Sequence, residues 1–207
     1  MMVFNDPRDW ALDTQVILDL LLSEQGYLGS YSPRNGDPSL PNQGYQQDGQ
    51  PPLYFTNPDL FWAAAYHLPR LGQGGFREAF EGVWNAVTGG ARAGVKLEKM
   101  ILGKPYKQTF NYAENMLLKH REHLLEGQKV NSLKNIYMVG DNPESDILGA
   151  NTYGSPTSPR NIKWHSILVR SGVYPGGKPA HEPEIIVDDV WSAVEWASKH
   201  HGVHAPT

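Results

Sequence analysis

Two aspartates five residues apart, Asp141 and Asp146, stand at the end of an apolar run in Ile136-Tyr137-Met138-Val139-Gly140-Asp141-Asn142-Pro143-Glu144-Ser145-Asp146. One carboxylate at a strand's carboxyl end and another in the first turn of the next helix can share a hard divalent cation such as Mg²⁺, which takes oxygen ligands. Open α/β sheets bind ligands beyond the carboxyl ends of their strands. The same spacing suits a turn aspartate followed by a helix N-cap at Ser145 or Asp146, so both readings stand. A second candidate is Lys104, in Gly103-Lys104-Pro105 at the end of Met100-Ile101-Leu102. Glycine lets the chain turn there, proline stiffens the exit, and the ammonium offers a point charge to an anion. An exposed turn lysine carries the same pattern. Asn57 and Asp59 in Thr56-Asn57-Pro58-Asp59, and Arg70 after them, could face a ligand or serve as a turn and a solvated charge. His200, His201 and His204 read as a tail, because Gly202 interrupts them and no carboxylate is near.

These residues need elements to hold them. Met2 to Phe4 predicts a strand. Trp10, Leu12, Val16, Ile17, Leu20 and Leu21 recur at helical steps, with Pro7 in the opening turn and a stop near Gln25-Gly26. From Gly26 to Phe55 ten of thirty residues are Gly or Pro, and the charges are Arg34, Asp37 and Asp48. That predicts a long polar loop, read as an insertion without chemistry. Strands are predicted at Leu53–Thr56, Met100–Leu102, Ile136–Val139, Ser166–Val169 and Ile185–Val187. Helices are predicted after a glycine loop at 70–75 (Phe76–Val87), with Phe110, Ala113, Met116, Leu117 and Leu118 on one face, from Ser145, and from Asp188 or Asp189 with Val190, Trp191, Val194 and Ala197 inward. Apolar strands alternating with helices predict an α/β fold with a parallel sheet covered on both faces.

The 207 residues are 40% apolar and 19% charged, enough to bury a sizeable core, and the formal charge is −4. No basic run offers a phosphate-backbone footprint, so nucleic acid is not expected as a partner. No apolar stretch reaches the roughly 18 residues of a membrane span, and the start has neither a basic signal region nor an amphipathic transit pattern. The absence of cysteine excludes disulfides and thiolate chemistry.

Together the motifs resemble the haloacid dehalogenase-like (HAD) superfamily of phosphohydrolases. Gly103-Lys104-Pro105 matches its third motif, Gly140-Asp141 with Asp146 its fourth, and Thr56-Asn57-Pro58-Asp59 the class IIA branch, whose α/β cap lies between the second and third motifs. The wording of Val3 to Asp13, of Pro69 to Gly74 and of Gly172-Val173-Tyr174 is similar to the eukaryotic, often mitochondrial, cat eye syndrome critical region subfamily. The resemblance implies that Lys104 stabilises phosphoryl charge, that Asp141 and Asp146 bind or support Mg²⁺, and that Asn57, Asp59 and Arg70 face substrate from the cap. It implies a small phosphorylated substrate and a mitochondrial location, with a cytoplasmic one as the alternative. It also implies that residues 1–95 are the second half of a cap and 96–207 the second half of a Rossmann-like core. The family's Asp-x-Asp nucleophile motif and its Ser/Thr motif do not occur upstream, and Asp6/Asp9 and Asp188/Asp189 have the wrong spacing. The expectation is therefore a phosphohydrolase present as an incomplete chain and inactive alone, since covalent chemistry needs its nucleophile. The alternative is a non-catalytic Mg²⁺, phosphate or protein-binding module. In the family the fourth-motif strand lies beside the first, so the edge of Ile136–Val139 is expected to be open to self-association.

Overall fold

The computed structural model describes residues 1–6, 8–125, 133–153 and 160–200; Pro7, His201 and His204 lie outside them. Two compact units divide the chain, Met1–Trp62 with Arg70–Leu102, and Ala63–Pro69 with Gly103–Thr207. The first unit reaches Leu102 because Met100–Ile101 is the third strand of its sheet.

In the first unit β1 (Met2–Val3), β2 (Tyr54–Phe55) and β5 (Met100–Ile101) form a parallel sheet in the order β1-β2-β5. Helix α1 (Trp10–Leu22) opens with Asp9, whose carboxylate accepts from the amide of Leu12, and stops at Ser23, short of the expected Gln25-Gly26. Between them the two-residue strands β3 (Phe61–Trp62) and β4 (Arg70–Leu71) pair antiparallel.

Helix α2 (Gln73–Thr88) starts earlier than periodicity predicts. Gly74 and Gly75 belong to its first turn rather than to a loop, and Gly74 is needed because a Cβ there would meet the Asp59 carbonyl oxygen at 2.7 Å. A short helix α3 (Gly90–Ala93) follows. The core joins Leu21, Phe55, Phe76, Phe80 and Trp84, all fully buried, with Leu53, Val95 and Leu97.

The Gly/Pro-rich segment is a built element, not a bare insertion. Ser32, itself buried, donates to Asp48 Oδ2 at 2.7 Å, and Tyr45 packs edge-on against Trp84 at 5.9 Å. The Asn42 side-chain amide donates to the Lys96 carbonyl at 2.9 Å and accepts from its N–H at 2.7 Å; Gln46 does the same to Glu98. Side-chain amides here take the place of a neighbouring strand's backbone.

The second unit holds β6 (Asn135–Gly140), β7 (Lys163–Val169) and β8 (Ile185–Val187), all parallel, in the order β6-β7-β8. β7 is central and buried from Trp164 to Val169. Alternation sends Ile136, Met138 and Trp164 toward α4 (Lys107–Leu124) and α5 (Leu148–Tyr153), and Tyr137, Val139, Ile167 and Val169 toward α6 (Val190–His200). The α/β class with both sheet faces covered is thus observed. Among the described residues β6 pairs on one side only.

Two helices present faces other than those expected. On α4 the buried positions are Phe110 and Glu114, while Met116 and Leu117 are exposed. Glu114 is tolerated inside because Arg160 Nη1 donates to it at 3.0 Å and Trp164 Nε1 at 3.4 Å. On α6 Ala193 is buried, with Trp196 and Ala197 packed beside it, whereas Val190, Trp191 and Val194 point outward, Trp191 with 71% of its surface exposed. Both stripes are apolar, and the alanines let the helix approach the sheet. Asp189 caps α6, its Oδ1 accepting from Ser192 N at 2.8 Å, and this hydrogen bond holds its carboxyl below the usual range. His200 ends the helix stacked on Trp196 at 4.6 Å.

Candidate functional site

β6 is a continuous apolar strand that stops at Gly140, and the chain leaves it through Asp141 and Asn142. Asn142 caps the following π-helical turn, Pro143–Ile147, its Oδ1 accepting from Glu144 N at 3.0 Å. A one-turn π segment widens the helix start, and here it places Asp146 back against the end of its own strand. Asp146 Oδ2 accepts from Asn142 N at 3.1 Å. A Cβ on Gly140 would fall 2.5 Å from Asp146 Cβ, so Gly140 makes room for that carboxylate.

The other oxygen of Asp146 meets Lys104. Nζ lies 2.6 Å from Oδ1, an ion-pair contact by distance but off the hydrogen-bonding direction. The pair is asymmetric, since the Asp146 side chain is 1% exposed and that of Lys104 is 39% exposed. Lys104 comes to this place because Gly103 has φ +111°, its amide donates to Thr109 Oγ1 at 2.9 Å, and Tyr106 N returns to the Gly103 carbonyl at 3.0 Å. The Lys104–Pro105 peptide is cis. Gly149, in α5, has no side chain where Phe110 and Pro105 pack, so α5 closes on this turn, with Pro105 Cα 3.1 Å from where a Cβ would stand.

Asp141 is half-buried. Its Oδ2 accepts from Val173 N at 2.7 Å, across 32 residues of sequence. The loop that brings Val173 there leaves β7 at Arg170, whose amide donates to the Val187 carbonyl at 3.0 Å. Tyr174 anchors it by burial against Ile147, Leu168 and Ile186.

Lys104, Asp141 and Asp146 therefore gather at the carboxyl end of β6. Asn57, Asp59 and Arg70 belong to the first unit. Asn57 Oδ1 accepts from Asp59 N at 2.9 Å, making a local turn, and Arg70 lies on β4 opposite Trp62. That turn is held by Gln73, a buried residue sequence reasoning missed. Its Oε1 accepts from both Thr56 N, at 2.8 Å, and Asn57 N, at 2.9 Å, and its Nε2 donates to the Asn5 carbonyl at 3.3 Å. Thr109 and Val173 were also missed as site partners. A threonine two residues into a helix and a Gly-Val just past a strand were visible signals, but nothing local tied them to Lys104 or Asp141.

Chemically, the arrangement is one ammonium and two carboxylates. Asp146 spends both oxygens within the chain, on Lys104 and Asn142, and Asp141 spends Oδ2 on Val173, so Asp141 Oδ1 is the carboxylate oxygen left for a hard cation. It fits Mg²⁺ as one ligand of an octahedron, not as a site complete in itself; no group of three or more His, Asp or Glu able to hold a metal occurs among the described residues. No helix among those residues is long and apolar enough to cross a membrane.

A family model described as HAD-hydrolase-like matches residues 101–193. The chain is 41% identical over 197 residues to a cardiolipin synthase (CMP-forming)/mitochondrial hydrolase fusion protein of Schizosaccharomyces pombe, covering 94% of this chain and 28% of that protein. It is 37% identical over 213 residues to a mitochondrial hydrolase of Saccharomyces cerevisiae, covering 94% of this chain and 53% of that one. The chain thus spans about half or less of the length of these two relatives. Among solved structures, a hypothetical protein from Pyrococcus horikoshii aligns with TM-score 0.47 at 19% identity, over 79% of this chain and 52% of that chain. A possible sugar phosphatase of the HAD superfamily from Cytophaga hutchinsonii aligns with TM-score 0.37 at 21% identity, over 74% and 39%. Residues 101–193, the stretch that carries Lys104, Asp141 and Asp146, are the part of this chain that is similar to the HAD-hydrolase-like family.

Proposed function

We propose that this chain supplies the lysine and carboxylate side of a phosphate-monoester hydrolase site that works through an aspartyl-phosphate. The observation that carries the reading is the 2.6 Å pairing of Lys104 with Asp146 beside Asp141 at the end of β6. Phosphoryl transfer depends on positioning and on neutralising the oxygens of the transferred group. Lys104 presents its ammonium to those oxygens, and the buried Asp146 holds that ammonium in place. Asp141 Oδ1 is the oxygen of this chain that would hold Mg²⁺, and the cation when bound supplies further neutralisation of phosphate charge. The residues 1–95 and 96–207 are proposed to correspond to parts of a class IIA cap and of a HAD core, with Asn57, Asp59 and Arg70 on the cap facing a small phosphorylated substrate.

The nucleophile has to come from elsewhere, because these 207 residues contain no Asp-x-Asp. That same fact favours a second reading, a non-catalytic module that binds a cation and phosphate on the HAD fold. An aryl-phosphate assay with Mg²⁺ separates the two. The chain alone is expected to show no turnover above background, and adding a segment that bears the Asp-x-Asp motif is expected to bring activity that Lys104→Met removes. Turnover by the chain alone that survives Asp141→Asn overturns the first reading; cation and phosphate binding with no turnover in either setting supports the second. Both relatives are mitochondrial hydrolases by name, which supports a proposed mitochondrial location that cell fractionation checks.

A further inference from the structure

Asp141 is not simply delivered by its strand. Its carboxylate is gripped by a loop that begins after β7, and the grip selects one oxygen. Val173 N–H donates to Oδ2 at 2.7 Å. Gly172, just before it, has φ +156°, and a Cβ there would stand on the carboxylate, 2.5 Å from Asp141 Cγ and 2.6 Å from its Cβ. The loop is tied down on the far side as well. His181 Nε2 lies 3.2 Å from Glu144 Oε2, Asn151 Nδ2 donates to the Glu182 carbonyl at 2.9 Å, and the buried Tyr174 donates to the Gly177 carbonyl at 2.5 Å. The backbone of Gly172-Val173 is therefore a fixed surface against which the carboxylate rests.

We propose that Gly172 and Val173 are positioning residues that set the rotation of the Asp141 carboxylate, so that Oδ2 faces the loop and Oδ1 faces outward as a ligand for a divalent cation. This rests on the reading of Asp141 given above. The physical reasoning is that a carboxylate ligand is useful in proportion to how well its partners fix it, and loss of such a partner characteristically weakens metal affinity about 10- to 100-fold. Glycine is required at 172 because any side chain occupies the space of Oδ2. The obstructed atoms are those of the Asp141 side chain, Cβ at 2.6 Å included, so an alanine there displaces the whole carboxylate, and at φ +156° it also strains the loop, which the Gly176→Ala control at φ +89° accounts for.

Two measurements on the 207-residue chain test this, with Gly176→Ala as the control. Gly176 lies in the same loop with φ +89°, but a Cβ there meets nothing within 4 Å. The first measurement is the ¹H resonance of the Val173 amide, which is expected downfield in the parent and to move upfield together in Asp141→Ala and Gly172→Ala, while Gly176→Ala leaves it in place. The second is Mn²⁺ binding followed by paramagnetic broadening, expected to weaken about 10-fold or more in Gly172→Ala and to be unchanged in Gly176→Ala. A Val173 resonance indifferent to Gly172→Ala, or equal loss of Mn²⁺ in both glycine variants, overturns the proposal. If the resonance behaves as expected but the parent binds no Mn²⁺, the proposal that the grip serves a cation is overturned together with the metal role of Asp141, while the Lys104 part of the functional reading stands.

Discussion

Replacing Lys104 with methionine removes the charge that faces Asp146 while keeping the length of the stem. Asp146 stays behind with 1% of its side chain exposed, and the Asn142 amide on Oδ2 becomes its main compensation. Removing one partner of a buried pair typically costs about 3–5 kcal/mol. Lys104 is 39% exposed, so water reaches the gap and screens part of the loss; about 2–3 kcal/mol is expected. For a chain of this size that corresponds to a fall of about 4–12 °C in Tm. Asp146→Asn is the opposite perturbation. The Lys104 side chain is already 39% exposed, and the new amide can still accept from Asn142, so the cost is about 1 kcal/mol or less. The double variant Lys104→Met/Asp146→Asn removes both charges and is expected to recover most of the loss of the lysine variant. Hydrogen exchange of the β6 and β7 amides in denaturant reads the stability of the second unit directly. If Asp146→Asn costs as much as Lys104→Met, or if the double variant recovers nothing, burial of the anion is not what makes this pair matter.

Gly149→Ala would press a methyl group into the Phe110 ring and toward Pro105, and chemical denaturation should register a loss of about 1–3 kcal/mol. Burial first, then the nearby Glu114 carboxylate, push the Tyr153 hydroxyl up, with Arg160 opposing. The folded chain then holds that proton to higher pH than the unfolded one, so the contribution is complete below about pH 10 and is lost as pH rises through the folded-state value. Alkaline denaturation curves should accordingly flatten in Tyr153→Phe; an unaltered slope sinks the assignment. The side of β6 that pairs with no strand among the described residues, six residues long with apolar side chains on both faces, should make the isolated chain associate, and sedimentation showing a concentration-independent monomer refutes this.

How much of this could be read in advance differs from residue to residue. Ile185–Val187 is the strand its three β-branched residues predict, and Ile136–Val139 lies inside a strand only one residue longer at each end. Runs of this kind bury the same side chains whichever neighbours they meet, so local pattern suffices. Gly103-Lys104-Pro105 and Gly140-Asp141 likewise announce two strand ends, and with them the family resemblance. Faces of helices were less legible. Trp191 looked inward by periodicity and is exposed, because α6 carries two apolar stripes and only contact with the sheet selects the one with Ala193. Glu114, absent from the face that periodicity predicts, is buried because Arg160, 46 residues away, meets it. At the site itself the sequence determined which residues could do chemistry: a lysine after one strand and two aspartates after another. Only the tertiary structure decided that Lys104 answers Asp146, that Val173 grips Asp141, and that Gly140 and Gly172 leave space for the two carboxylates. These are contacts between chain segments 32 residues apart or more, or overlaps of a few ångströms, and they follow from the register of β6 on β7 and the shape of the turns, which no periodicity in a single stretch of sequence encodes.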